Sequence, residues 1–124
     1  MKRKILVVED YDDARLFMRY LLESYGYEVT EAADGLEAIK CLKTEFPDLI
    51  LMDIKMPVMD GLAATRTIRK FKGGNEIPII AVTVHGKHFY RKAIEAGFDN
   101  MLTKPVDFDS LAEVLHNYLD EKEE

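Results

Sequence analysis

The sequence is short of several things, and each shortage removes a class of function. Basic residues are outnumbered: 17 Lys and Arg stand against 23 Asp and Glu, a net charge of -6 over 124 residues. With no basic excess to neutralise phosphates, nucleic acid is not expected as a direct partner, and the basic start, Met1 to Lys4, is too short to change that. A single cysteine, Cys41, excludes an internal disulfide. No apolar run approaches the roughly 18 residues of a membrane span. The apolar segment after Lys4 stops at Glu9, too soon for a signal peptide. Repeats and low-complexity tracts are missing too. The expectation is a soluble cytoplasmic protein with no membrane partner. It has one domain across 1–124, with a core over about 4–119 and a polar tail over 120–124.

What is present is organised around Asp48 to Gly61, DLILMDIKMPVMDG. It opens as a continuous apolar run, reads as a strand buried on both faces, and ends in one acidic side chain, Asp53. Met56-Pro57 and Asp60-Gly61 then punctuate a turn-rich loop before a helical pattern over Leu62 to Phe71, which sets Asp53 at a strand's carboxyl end. Ile5 to Val8 is a similar run, ending in Glu9 and Asp10. A helix capped by Asp12 or Asp13 follows, with Ala14, Phe17, Met18, Leu21 and Tyr25 as its inward stripe, Leu16 and Tyr20 off it, and Gly26 as its stop.

Tyr27 to Glu31 alternate as a short strand, and Asp34-Gly35 turns into a helix through Leu36, Ile39, Leu42 and Phe46 that ends at Pro47. After the third helix, Lys72 to Glu76 reads as a polar, mobile insertion. Pro78 to Val82 is a buried strand ending at Thr83, followed by a helix from about Lys87 to Ala96 that stops at Gly97. Asn100 to Thr103 runs as a fifth strand into Lys104-Pro105, and Asp107 caps a last helix carrying Phe108, Leu111, Leu115 and Leu119 inward. Strands and helices alternate five times, which predicts an α/β fold with a parallel sheet covered on both faces.

In such sheets ligands bind beyond the carboxyl ends of the strands. Those ends supply Glu9, Asp10, Asp53, Thr83 and Lys104. Carboxylates gathered in one crevice repel one another unless a cation intervenes. Oxygen ligands of this kind suit Mg²⁺ or Mn²⁺ better than Zn²⁺, and His85 and His88 are poorly spaced to form a transition-metal site. A lysine, a hydroxyl and a metal around one carboxylate would stabilise a phosphoryl group, with Asp53 as the nucleophile that becomes an acyl phosphate.

VVED at Val7 to Asp10, LMDIKMPVMDG, IIAVT and LTKP at Leu102 to Pro105, in that order at successive strand ends, resemble the receiver domain of the response regulators of bacterial two-component signalling. The resemblance covers essentially the whole chain. It implies a doubly wound, five-stranded parallel sheet of order 2-1-3-4-5 with five helices, the CheY-like or flavodoxin-like arrangement. It implies Asp53 as phosphoacceptor, and Mg²⁺ held by Asp10, Asp53 and the main-chain carbonyl of Lys55, with Glu9 reaching it through water. It further implies phosphoryl contacts from Lys104, the Thr83 hydroxyl and the main-chain N–H of Val84, and a cis peptide before Pro105. The implied partners are a histidine kinase or histidine phosphotransfer protein and a downstream effector, with the chain a monomer or a phosphorylation-dependent dimer.

Two positions depart from the family's usual pattern. Val84 replaces the common Ala or Gly and would crowd the route to Asp53, and Met101 replaces the aromatic half of the usual Thr83-linked switch. A related aspartyl phosphatase would need a second Asp two residues after the nucleophile, where this chain has Lys55. Tyr11, Leu16 and Tyr20 are expected to form an exposed kinase-facing patch. The basic and aromatic run Lys87, His88, Phe89, Tyr90, Arg91 and Lys92 is expected to belong to an output face.

Overall fold

Three apolar runs build the centre of the sheet, and two more polar strands form its edges. The computed structural model describes residues 2–120 and places the strands at Lys4–Val8 (β1), Glu28–Ala32 (β2), Leu49–Met52 (β3), Ile79–Thr83 (β4) and Asn100–Thr103 (β5). All pairings are parallel and the order is β2-β1-β3-β4-β5, as the alternating pattern and the family resemblance predict. Five helices cross between them: Asp12–Ser24 (α1), Gly35–Thr44 (α2), Gly61–Arg69 (α3), Gly86–Ala96 (α4) and Phe108–Leu119 (α5).

The period of two along each strand sends alternate side chains to opposite faces, and in the central strands β1, β3 and β4 both faces are apolar because helices cover both. Leu6, Val8, Ile50, Met52, Ile79 and Ala81 pack with Ile39, Leu42, Ile68 and Ala93 on one side. Ile5, Val7, Leu49, Leu51, Ile80 and Val82 pack with Leu22, Leu111 and Leu115 on the other.

Several local expectations are corrected. The N-cap of α1 is Tyr11, which makes no side-chain capping bond, so neither Asp12 nor Asp13 caps the helix; both lie in its first turn. On α1 the fully buried residue is Leu22, whereas Phe17 and Tyr25 are exposed. Phe17 precedes Met18 by about 100° around the helix and so falls on the shoulder of the inward stripe. Phe108 is likewise exposed, because it starts α5 beyond the end of the sheet; Leu111, Val114, Leu115 and Leu119 are the buried positions. α2 stops at Thr44, three residues before Pro47, and Leu36 and Phe46 face solvent. The second strand begins at Glu28 rather than Tyr27 and runs on to Ala32. Asp34, Asp60 and Asp107 each cap a helix by accepting a main-chain N–H from the residue three positions on. Of the expected polar tail, 121–124 lie outside the described residues.

The loop read as a mobile insertion contains a 3-10 turn, Gly74–Glu76, held by one side chain. Arg69, at the end of α3, donates to the carbonyls of Gly74 and Ile77, both at 2.7 Å, and to Gly97 from two nitrogens. It also pairs with Asp99 at 2.9 Å. A single guanidinium thus joins α3, the 3-10 turn, the approach to β4 and the end of α4 at the edge of the sheet opposite the strands' carboxyl ends. Its planar fork allows this where an ammonium would not.

Candidate functional site

β1 and β3 are adjacent and in register, with Val8 opposite Met52, so the residues that follow them emerge side by side. The backbone turns outward after each strand and delivers Glu9, Asp10 and Asp53 to one crevice. A carboxylate oxygen from each lies within 4.8 Å of the others. Glu9 and Asp53 are buried, whereas Asp10 is exposed at the rim. Gly61 lets the start of α3 close against this strand end. Its N–H donates to the Ile54 carbonyl at 2.8 Å, and a Cβ at this position would stand 2.2 Å from the Asp53 carbonyl oxygen.

Lys104, just past β5, reaches across the crevice. Its ammonium donates to Asp53 Oδ2 at 3.0 Å and to Glu9 Oε1. Burial works against the Lys104 charge, but the hydrogen bonds to Glu9 and Asp53 outweigh it, and its pKa rises above the ordinary lysine value. The other oxygen, Asp53 Oδ1, accepts the N–H of Ile54 at 2.7 Å, and Glu9 Oε2 accepts the N–H of Tyr11 at 3.0 Å. Three carboxylates against one ammonium leave two formal negative charges in the crevice. A divalent cation would offset that charge, and an all-oxygen donor set at a half-open rim fits Mg²⁺ or Mn²⁺, which keep several waters. Glu9, Asp10 and Asp53 are the side chains that would hold it.

The remaining predicted residues fall around this centre with different intimacy. Thr83 ends β4, is buried, and its hydroxyl accepts the N–H of His85 at 3.3 Å. Val84 follows it in an exposed turn. Lys55 is exposed in the loop after β3. Met101 lies on β5, half-buried against the core that α4 covers, and faces Gly86 rather than the carboxylates. The Lys104-Pro105 peptide is cis.

Residues 5–116, which carry the acidic pocket and the lysine opposite it, match the family model of the response regulator receiver domain. The chain belongs to that family. Among curated receiver proteins, the chemotaxis protein CheY of Halobacterium salinarum is 34% identical over 119 residues, covering 96% of this chain and 98% of its own length. Among solved structures, the receiver domain of a sensor histidine kinase from Pseudomonas aeruginosa aligns with a TM-score of 0.89 and 35% identity. That alignment covers 95% of this chain and 98% of its counterpart, which carries a magnesium ion coordinated in its active-site cleft. The receiver domain of the yeast regulator Ssk1, crystallised with the histidine phosphotransfer protein Ypd1, aligns at 28% identity with a TM-score of 0.86, covering 94% of this chain and 88% of the other.

Two features of this receiver were not legible from residue types. Phe17 of α1 and Phe108 of α5 stack with ring centroids 6.3 Å apart. Beside them an apolar cavity of about 400 Å³ opens between the two helices and reaches Glu9, Asp53 and Lys104. The second is Arg15, whose partners include the Glu9 main-chain carbonyl at 2.7 Å. Both depend on contacts between elements, which helical spacing within one segment does not encode.

Proposed function

We propose that this receiver takes a phosphoryl group from a phosphohistidine onto Asp53 and, while loaded, changes its affinity for a downstream effector. The observation that carries the reading is the Asp53 carboxylate itself, buried, 3.0 Å from the Lys104 ammonium, and grouped with Glu9 and Asp10. An Asp53 oxygen attacks phosphorus as the P–N bond to the donor histidine breaks. The electron pair returns to the imidazole, which takes up a proton from solvent. Glu9, Asp10 and Asp53, with the Lys55 carbonyl, would hold Mg²⁺, which would supply charge neutralisation for the transferring group. Lys104 exchanges a carboxylate contact for a phosphoryl oxygen, and the Thr83 hydroxyl and the Val84 N–H take the others. The chain assists its own loading and unloading but acts as a signalling phosphoprotein rather than as an enzyme on a free substrate.

A histidine kinase or a histidine phosphotransfer protein is the proposed donor, a reading supported by the complex of Ypd1 with the Ssk1 receiver. Exchange with such donors goes with a cytoplasmic setting. The exposed Tyr11, Leu16 and Tyr20 lie on the α1 side of the crevice, and the stacked Phe17 and Phe108 extend that apolar area towards α5. Met101, unbranched and flexible, accommodates either position of Thr83 with little penalty, so the switch is graded and a partner completes it.

Incubation with acetyl phosphate and Mg²⁺, followed by intact mass, tests the assignment. One added phosphoryl group in the native chain, absent after chelation and absent in Asp53→Asn, is the expected outcome. Uptake that persists in Asp53→Asn overturns the site, rapid multiple turnover points to a phosphatase, and no uptake points to an inert binding module.

A further inference from the structure

Arg15 is half-buried on α1 and spends its guanidinium in three directions at once. Nη1 donates to the Glu9 carbonyl at 2.7 Å, Nε to Glu31 Oε1 at 3.0 Å, and Nη2 to Asp12 at 2.7 Å. Glu31 lies on β2 and is gripped again by Arg19 Nη1 at 2.6 Å, so the far end of the network is anchored to the sheet. The segment between β1 and α1 is fixed at several points. The Glu9 N–H donates to Ala32, the Tyr11 N–H to the Glu9 carboxylate, and the Arg15 N–H to the Tyr11 carbonyl. Arg15 supplies the bond that fixes the peptide plane between Glu9 and Asp10. The orientation of that plane sets the direction in which the exposed Asp10 side chain leaves the backbone.

We propose that Arg15 is a positioning residue for the cation site, holding the Glu9-Asp10 peptide so that the Asp10 carboxylate is presented to Mg²⁺ beside Glu9 and Asp53. The role rests on the reading of this crevice as a cation site. Outer-shell groups of this kind typically carry a tenfold or larger share of metal affinity. The sign of the effect separates positioning from plain electrostatics. A positive guanidinium close to the site repels a cation, so losing its charge alone would tighten binding. Losing its grip on the Glu9 carbonyl would weaken it.

The test is Mg²⁺ titration of the unphosphorylated protein, followed through the amide shifts of Tyr11 and Ile54, with thermal unfolding measured alongside. Arg15→Met is expected to bind Mg²⁺ about tenfold more weakly than the native chain. Arg15→Lys, which keeps the charge and loses the fork, is expected to be weakened as well, and it carries the test if Arg15→Met does not fold. Arg19→Met gives up a Glu31 contact without touching the Glu9 carbonyl. It is expected to unfold at a lower temperature while keeping native Mg²⁺ affinity. Native or tighter Mg²⁺ binding in both Arg15 variants overturns the role of Arg15 alone. Absence of any saturable Mg²⁺ response in the native chain overturns the cation site itself.

Discussion

Val58 holds a backbone conformation that a β-branched residue rarely accepts. Its φ is 69°, and the Met59 N–H donates to the Pro57 carbonyl at 2.7 Å, a three-residue γ-turn in the loop that follows Asp53. The side chain is 76% exposed, so little burial offsets the strain. Backbone held at positive φ costs roughly 1–2 kcal/mol for a residue with a Cβ, and Asn accepts it more readily than a β-branched residue, without the unfolded-state entropy of Gly. Val58→Asn is therefore expected to stabilise the chain by about 1 kcal/mol, read as a higher urea midpoint at unchanged slope. A lower midpoint would mean that the valine side chain contributes contacts outweighing the strain. At the same scale, the phosphoacceptor experiment with Asp53→Asn separates chemistry from folding. Removing one of three clustered carboxylate charges is expected to leave the fold intact while phosphoryl uptake is lost.

At the scale of elements, α1 is the part of the chain whose sequence was hardest to read. Its apolar residues outnumber its inward positions, and helical spacing places Phe17, Leu21 and Tyr25 inward while passing over Leu22. The structure buries Leu22, half-buries Met18 and Leu21, and leaves Phe17 57% exposed against Phe108 of α5. The strands were legible by contrast, because apolar runs ending in acid, hydroxyl or lysine leave one register and one polarity open. That is why Glu9, Asp10, Asp53 and Lys104 were expected together and are found together. Arg15 was not legible, since its partners are a main-chain carbonyl and a residue on the next strand. The surplus apolar surface on α1 sits beside the crevice, and large exposed apolar patches mark contact sites. Leu16→Glu and Tyr20→Glu are expected to slow transfer from the cognate phosphohistidine while leaving uptake from acetyl phosphate unchanged. Equal slowing of both donors would trace the effect to the crevice rather than to docking.

Over the whole molecule, charge is arranged so that acid weakens the join between α1 and β2. Hydrogen bonding from Arg19 is the main influence lowering the Glu31 pKa; burial opposes it and Arg15 adds to it. Because the folded-state value is depressed, the stabilisation is complete above the unfolded Glu value of about 4.3 and is lost as pH falls through the folded value. The stability difference between the native chain and Glu31→Gln is therefore expected to be constant from neutrality to about pH 5 and to shrink below about pH 4. A difference that holds constant to pH 3 in denaturant titrations would show that Glu31 acts through shape and not through charge.

The fastening at Arg69 also decides how α4 is able to move. Its carboxyl end is tied down, with Gly97 closing the helix at a φ of 114° and its carbonyl accepting from Arg69 at 2.7 and 3.0 Å. Its amino end has no side-chain cap and rests through Gly86 on Met101 and Thr103, next to Thr83. A beam hinged at one end and merely propped at the other swings, with amplitude growing along its length. Beryllofluoride, a phosphoryl mimic on Asp53, is accordingly expected to produce modest, fast-exchange amide shifts that are largest at Gly86 and fade to nothing by Ala96. Shifts of equal size along the helix, or a slow two-state exchange without a partner, would show that it slides as a rigid body instead. A helix that swings trades reach for torque. The exposed surface of α4 is therefore expected to shift most at the Thr83 end and least where Arg69 holds it.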